Sequence, residues 1–256
     1  GTEEHNLSVS FRFGNQVASL ANLILKIKGE QTLMRGAGPS MEPFDENRPH
    51  AIIARNNATL FEHAVQALEA KEPFALVGGA DELVRLVRSG YALYRGDTAN
   101  VRDEELRNYA DWHELREISE ITQDAGMRHL VMVIEKYKSE SVDFCRDLES
   151  AGNVDESTVG KILTTAHRSK GREFPQTHLC EDLEINKETM QKLATEAPIT
   201  EEENEALNLM YVALTRCKTG LHLEEPLKRN LQMMRRSVQA IEQAHTNSTA
   251  QSLRVG

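Results

Sequence analysis

Five ionisable side chains crowd a seven-residue stretch of this chain: His167, Arg168, Lys170, Arg172 and Glu173, set around Gly171. Ile162 and Leu163 begin a short apolar strand just before them, and Gly171 lets the turn bend through backbone angles that other residues avoid. Loops of this kind at strand ends are where α/β proteins place ligand chemistry. From spacing alone, a solvated loop of ordinary surface charge fits equally well.

A second stretch weighs against that plain reading. Residues 201–218 predict a helix opened by a capping box, in which Thr200 caps and Glu203 reaches back. Leu207, Met210, Tyr211 and Leu214 recur at i, i+3, i+4 and i+7 as one apolar face. Acids fill the first turn, and Arg216 and Lys218 the last, in the sense that suits the helix dipole. Thr215-Arg216 then falls where the helix meets the next loop.

The rest of the chain supplies elements to carry these stretches. Residues 7–14 alternate as a short strand, and residues 15–28 follow as a helix with Val17, Leu20, Ala21, Ile24 and Leu25 as its apolar stripe. Residues 29–50, rich in glycine and proline, read as a connecting loop. A strand at 51–54, a helix at 58–70 and a strand at 74–77 ended by Gly78-Gly79 come next, with Arg55-Asn56-Asn57 breaking the first of them. Residues 81–150 read as helical throughout, residues 151–159 as a polar linker, and residues 176–180 as a strand. Residues 184–198 read as an unpatterned surface crossing, 220–223 as a last strand and 226–244 as a basic helix before a mobile tail. Trp112, the lone tryptophan, reads as a core anchor.

In order, Thr165-Ala-His167-Arg-Ser-Lys170-Gly171-Arg-Glu173-Phe and Tyr211-Val-Ala-Leu-Thr215-Arg216 resemble the last two signature motifs of the UvrD/Rep-type superfamily 1 DNA helicases. Ser10-Phe11-Arg12-Phe13-Gly14 is similar to the family's fourth motif, and the strand, Arg55-x-Asn57, helix, strand, Gly-Gly order resembles the segment after it. Ser10 and Phe13 depart from that motif's commonest form, and Arg168 and Arg172 replace residues commonly small or apolar in the family. Both the Ser-Phe-Arg-Phe-Gly version and the short helical insert look like the F-box DNA helicase branch.

The resemblance, which covers residues 7–223, implies an α/β fold: a RecA-like second motor domain, a P-loop NTPase-type sheet with flanking helices, carrying a small helical insertion. Its parts would be residues 1–80 and 151–245 for the motor, 81–150 for the insert and 246–256 for a flexible tail. It implies that Arg12 and Arg216 are catalytic charges on the transferring phosphate of ATP, where such a finger carries about 10³ to 10⁵ of rate. Phe11 would face the adenine, Lys170 and Gly171 would complete the nucleotide contacts, and Glu173 would accept from the ribose. Arg55, Asn57, Thr165 and His167 would touch single-stranded DNA, with 3′ to 5′ polarity. Arg168 and Arg172 would add phosphate contacts. The resemblance implies ATP and Mg²⁺ as cofactors, but the sequence holds no Gly-x-x-x-x-Gly-Lys-Ser/Thr loop and no Asp-Glu pair ending an apolar strand. Those parts, and most of the hold on Mg²⁺, would belong to an N-terminal motor domain as partner. The chain alone would then be inactive.

Composition sets bounds on these expectations. A net charge of −10 argues against a protein that coats nucleic acid by bulk electrostatics, while leaving room for a local groove. Three scattered cysteines fit reduced thiols, and no metal constellation is visible among the nine histidines. With no apolar run of membrane length and a polar start, the expectation is a soluble protein, cytoplasmic or nuclear, with no membrane partner. The competing reading is a catalytically inactive helicase-like module kept for protein or nucleic-acid binding. Intact Arg12, Lys170, Glu173 and Arg216 argue against it.

Overall fold

The computed structural model describes residues 8–122, 124–151 and 154–255, with side chains along the last helix followed to Ala244. Leu7, which opens the first expected strand, and Gly152 and Asn153 of the expected linker lie outside the described residues. The chain divides into two compact units, Gly1–Asp45 with Gly171–Gly256, and Glu46–Lys170.

The first unit opens with β1 (Ser8–Ser10), α1 (Asn15–Ile27) and β2 (Met34–Gly36), β1 and β2 pairing in parallel. Val17, Ala18, Ala21, Ile24 and Ile27 form the buried face of α1, so the expected stripe holds at its centre while Leu20 and Leu25 lie at its rim. The stretch expected as a bare loop thus contains a strand. Three residues with no alternation carry no periodic signal, and backbone pairing alone makes β2.

The second unit begins with β3 (His50–Ala54), α2 (Asn57–Ala70) and β4 (Phe74–Leu76). All residues of β3 and β4 are buried, as strands covered on both faces require. The Asn56 side chain caps α2 by accepting from the Thr59 N–H at 2.9 Å. Four helices follow: α3 (Asp81–Tyr94), α4 (Trp112–Thr122), α5 (Ala125–Tyr137) and α6 (Glu140–Ala151). They are not one continuous helical run. Short 3-10 turns at Thr98–Asn100 and Leu106–Asn108 interrupt them. Leu115, Leu130 and Ile134 are fully buried, whereas Trp112 is half-buried, edge-on to Tyr94 with its Nε1–H donating to Glu135 at 3.3 Å. The core anchor is therefore a partial one. The unit closes with β5 (Lys161–Thr165), which lies between β4 and β3 and pairs in parallel with both.

The chain then returns to the first unit with β6 (Phe174–Leu179), α7 (Lys187–Ala194), α8 (Glu201–Leu214), β7 (Cys217–Leu223) and α9 (Glu225–Val255). Strands β6 and β7 are parallel. The surface crossing expected at 184–198 is corrected by α7, a helix of eight residues capped by Asn186 and anchored by Thr189, Met190 and Leu193. The capping box of α8 is formed as its sequence predicts, with the Thr200 hydroxyl accepting from the Glu203 N–H at 3.2 Å and the Thr200 N–H donating to the Glu203 carboxylate at 2.7 Å. The helix nevertheless ends at Leu214, because Cys217 enters β7 and pairs with Phe174. Helix α9 runs on through the residues expected as a tail to Val255. The fold is α/β, with a three-strand parallel ladder of β4, β5 and β3 in one unit and the parallel pairs β1–β2 and β6–β7 in the other, flanked by helices.

Candidate functional site

In the first unit, Arg12 follows β1, Glu173 precedes β6, and Arg216 and Lys218 flank the start of β7. Strand pairing sets their relation, because the Phe174 N–H donates to the Arg216 carbonyl at 2.9 Å and locks the entry of β6 against the entry of β7. Arg12 Nε donates to Glu173 Oε2 at 3.0 Å, and its Nη1 donates to the Thr215 carbonyl at 3.3 Å. Lys218 Nζ holds the other carboxylate oxygen of Glu173 at 2.5 Å. The two cations, Lys218 first and Arg12 second, hold the Glu173 carboxyl below its ordinary range. Lys218, which the sequence reading treats only as a dipole partner, is thus part of the cluster. Its place two residues after Arg216 is the signal that was available.

Arg216 stands apart in burial. At 9% exposure its guanidinium spends its donors on the chain itself: Nε on the Val212 carbonyl at 3.0 Å, Nη1 on the Arg172 carbonyl at 3.0 Å and Nη2 on the Thr215 hydroxyl at 3.1 Å. Burial pushes its pKa down and the charge of Arg12 adds to that, yet a guanidinium stays protonated at neutral pH. The two arginines therefore share one field. A desolvated cation beside a second one favours an anion placed between or before them.

A loop missed as a functional element holds Arg12. The Ala37 N–H donates to the Ser10 carbonyl at 2.7 Å and the Gly38 N–H to the Phe13 carbonyl at 2.9 Å, so residues 36–40 run along the backbone of residues 10–14. A Cβ at Gly38 would lie 2.5 Å from the Phe13 nitrogen and 2.6 Å from the Phe11 carbonyl oxygen. Only glycine permits that approach. Beneath it Phe13 packs with Val17, Ala18 and Cys217, whereas Phe11 projects outward at 78% exposure. An aromatic face open to solvent can receive a planar ring. Gly171 has φ of +82° and nothing near it that a Cβ would meet, so its requirement is conformational.

In the second unit the parallel ladder brings the expected strand ends together. Ala54 lies opposite Thr165, and the Ala166 N–H donates to the Ala54 carbonyl at 2.8 Å, so Arg55 and His167 leave neighbouring strands at the same level. Asn57 is the first residue of α2 and half-buried; His167 and Lys170 are exposed. Thr165 is buried, its hydroxyl accepting from the Arg168 N–H at 3.3 Å, so it holds the loop from within. Arg168, expected as an added phosphate contact, ties the loop in this structure: its Nη1 donates to the Val77 carbonyl at 2.9 Å and its Nη2 meets Glu82 at 2.6 Å. It fastens the loop after β5 to the turn after β4. Of Arg172, the backbone carbonyl is what enters the cluster, through Arg216.

The comparisons with known proteins bear on this arrangement. No protein-family model matches the chain. It is 28% identical over 250 residues to F-box DNA helicase protein 1 of Schizosaccharomyces pombe, an alignment covering 88% of this chain and 28% of that protein. Its relatives are named as DNA helicases. F-box DNA helicase 1 of Gallus gallus is 25% identical over 255 residues, covering 89% of this chain and 24% of its own length. The chain thus spans about a quarter of the curated relatives it matches. These relatives support a DNA helicase-related family. Among the described residues, no helix is long and apolar enough to cross a membrane.

Proposed function

We propose that the chain is the second RecA-like motor domain of an ATP-dependent 3′ to 5′ DNA helicase or translocase of UvrD/Rep type. Residues 81–150 would be its helical insert and 246–256 its tail. The observation that carries this reading is the convergence of Arg12, Glu173 and Arg216, far apart in sequence, on one charged cluster.

In this reading Arg12 and Arg216 stabilise charge building on the transferring phosphoryl group of ATP. Arg216, fixed by three acceptors, needs no reorganisation, which is the condition under which a charge lowers a barrier most. Arg12 is the mobile partner: it must leave Glu173 to reach phosphate. Phe11 offers its exposed ring to the base and Glu173 accepts from the ribose, with Gly171 turning the chain two residues before it. Mg²⁺ would be held mainly by the N-terminal motor domain, since the chain's cluster is cationic with a single carboxylate. The charge of the cluster fits a polyphosphate and does not fit a metal ion. In the second unit Arg55, Asn57 and His167 would touch the backbone of single-stranded DNA, with Thr165 bracing the loop. Backbone contact alone makes binding indifferent to sequence and sensitive to salt.

The test is hydrolysis by the chain alone and by the protein that joins it to an N-terminal motor domain. The chain alone should give no metal-dependent turnover, and the joined protein turnover stimulated by single-stranded DNA. Turnover by the chain alone would overturn the proposal by making the chain a complete ATPase, and none by the joined protein would overturn it in favour of an inactive binding module.

A further inference from the structure

We propose that Lys218 is a positioning residue for the nucleotide, holding the Glu173 carboxylate in place when Arg12 leaves it for phosphate. The inference rests on the reading above, in which Glu173 accepts from the ribose. Both oxygens of Glu173 are engaged, Oε2 by Arg12 at 3.0 Å and Oε1 by Lys218 at 2.5 Å. The three side chains come from three different elements. Arg12 follows β1, Glu173 immediately precedes β6, and Lys218 lies in β7.

The two cations differ in what else they hold. Arg12 also donates to the Thr215 carbonyl, next to the buried Arg216, so one end of its guanidinium already lies toward the second arginine. Lys218 sits on a strand whose start is fixed in register against β6, with Cys217 opposite Phe174, one residue from Glu173. Its backbone cannot follow a phosphate without breaking that ladder. When an anion draws Arg12 away, Lys218 remains as the cation that keeps the carboxylate pointed. An ionised carboxylate still has lone pairs for two sugar hydroxyls after accepting from one ammonium.

A purely structural role predicts something else. Side-chain exposures of 38% for Lys218 and 43% for Glu173 describe a surface ion pair, and such pairs contribute little to folding. The effect should therefore appear in nucleotide binding and hardly at all in melting temperature. It should also depend on the sugar, because the ribose is what Glu173 receives.

The experiment compares wild type, Lys218→Met and Lys218→Arg in the full-length protein, with ATP and 2′-deoxy-ATP as substrates. Lys218→Met should raise KM for ATP about five- to tenfold with kcat nearly unchanged, and Lys218→Arg should restore most of it. The preference for ATP over 2′-deoxy-ATP should shrink in Lys218→Met, with the melting temperature unmoved. A fall in kcat at constant KM would overturn the inference by placing Lys218 on the transferring phosphate. Unchanged KM and sugar preference in a folded Lys218→Met would overturn it as well, while leaving the motor reading intact. A wild type with no ATP hydrolysis would overturn the motor reading, and this inference with it.

Discussion

Arg12 and Arg216 are two arginines with one proposed task and different lives in the fold. Removing Arg216 takes a donor from the part-buried carbonyls of Val212 and Arg172 and from the buried Thr215 hydroxyl, at about 1–3 kcal/mol, whereas Arg12 is partly exposed and bonded mainly to an exposed carboxylate. Arg216→Ala should therefore lower the melting temperature measurably and Arg12→Ala hardly at all, in thermal melts of the two variants side by side. A second residue-scale expectation concerns Glu62, whose carboxylate accepts from His129 Nε2 at 2.6 Å and Lys136 at 3.0 Å; His129 first among these holds its pKa down to about 2. A depressed carboxyl contributes stability that is complete above its ordinary 4.5 and is lost as the pH falls toward 2. Glu62→Gln should flatten the acid limb of the stability curve in that window, by on the order of 2 kcal/mol after discounting for solvent at the site. The thiols give a third. Cys145, Cys180 and Cys217 are fully buried, and burial pushes all three up, Cys145 to about 12. A maleimide at neutral pH should label none in the native protein and all three in denaturant.

At the scale of elements, the crossing of residues 36–40 over residues 10–14 does the positioning that neither stretch could do alone. Gly38→Ala would force the two backbones apart beside Arg12, at about 1–3 kcal/mol, and should reduce turnover of the full-length protein more than its DNA affinity. Equal loss of both would mean that the unit had unfolded. Much at this scale was legible in the sequence. The capping box at Thr200 and Glu203 gave α8, and the apolar run of β5 ending in charge gave the loop. What escaped lacked a period or had a competing one. Strand β2 has three residues, α7 spreads Met190 and Leu193 among two lysines, a glutamate and a glutamine, and Arg216 and Lys218 continue a helical charge pattern past the point where pairing with β6 takes over. Arg168 was legible as a cation but not as a tie, because Val77 and Glu82 lie about ninety positions away in the chain. Lys218 was visible and its partner was not, for the same reason.

For the whole molecule, the two units each collect residues from stretches that the sequence keeps apart, and the helices of residues 81–151 belong to the packing of their unit. Helices α3, α5 and α6 pack on α2, with Leu130 and Ile134 fully buried. Limited proteolysis should then not release an intact fragment of residues 81–150 early; its appearance would mark an independent module. The net charge of −10 was a weak witness to function, since the proposed contacts need only local cations. The measurement that tests the motor reading most directly is DNA-stimulated ATP hydrolysis by the full-length protein carrying Arg12→Ala, with single-strand affinity measured on the same sample. A guanidinium acting on the transferring phosphate predicts turnover lowered by about 10³-fold or more, and affinity within about twofold of wild type. Turnover retained with DNA binding lost would contradict it, and would put Arg12 on the nucleic acid instead of the nucleotide.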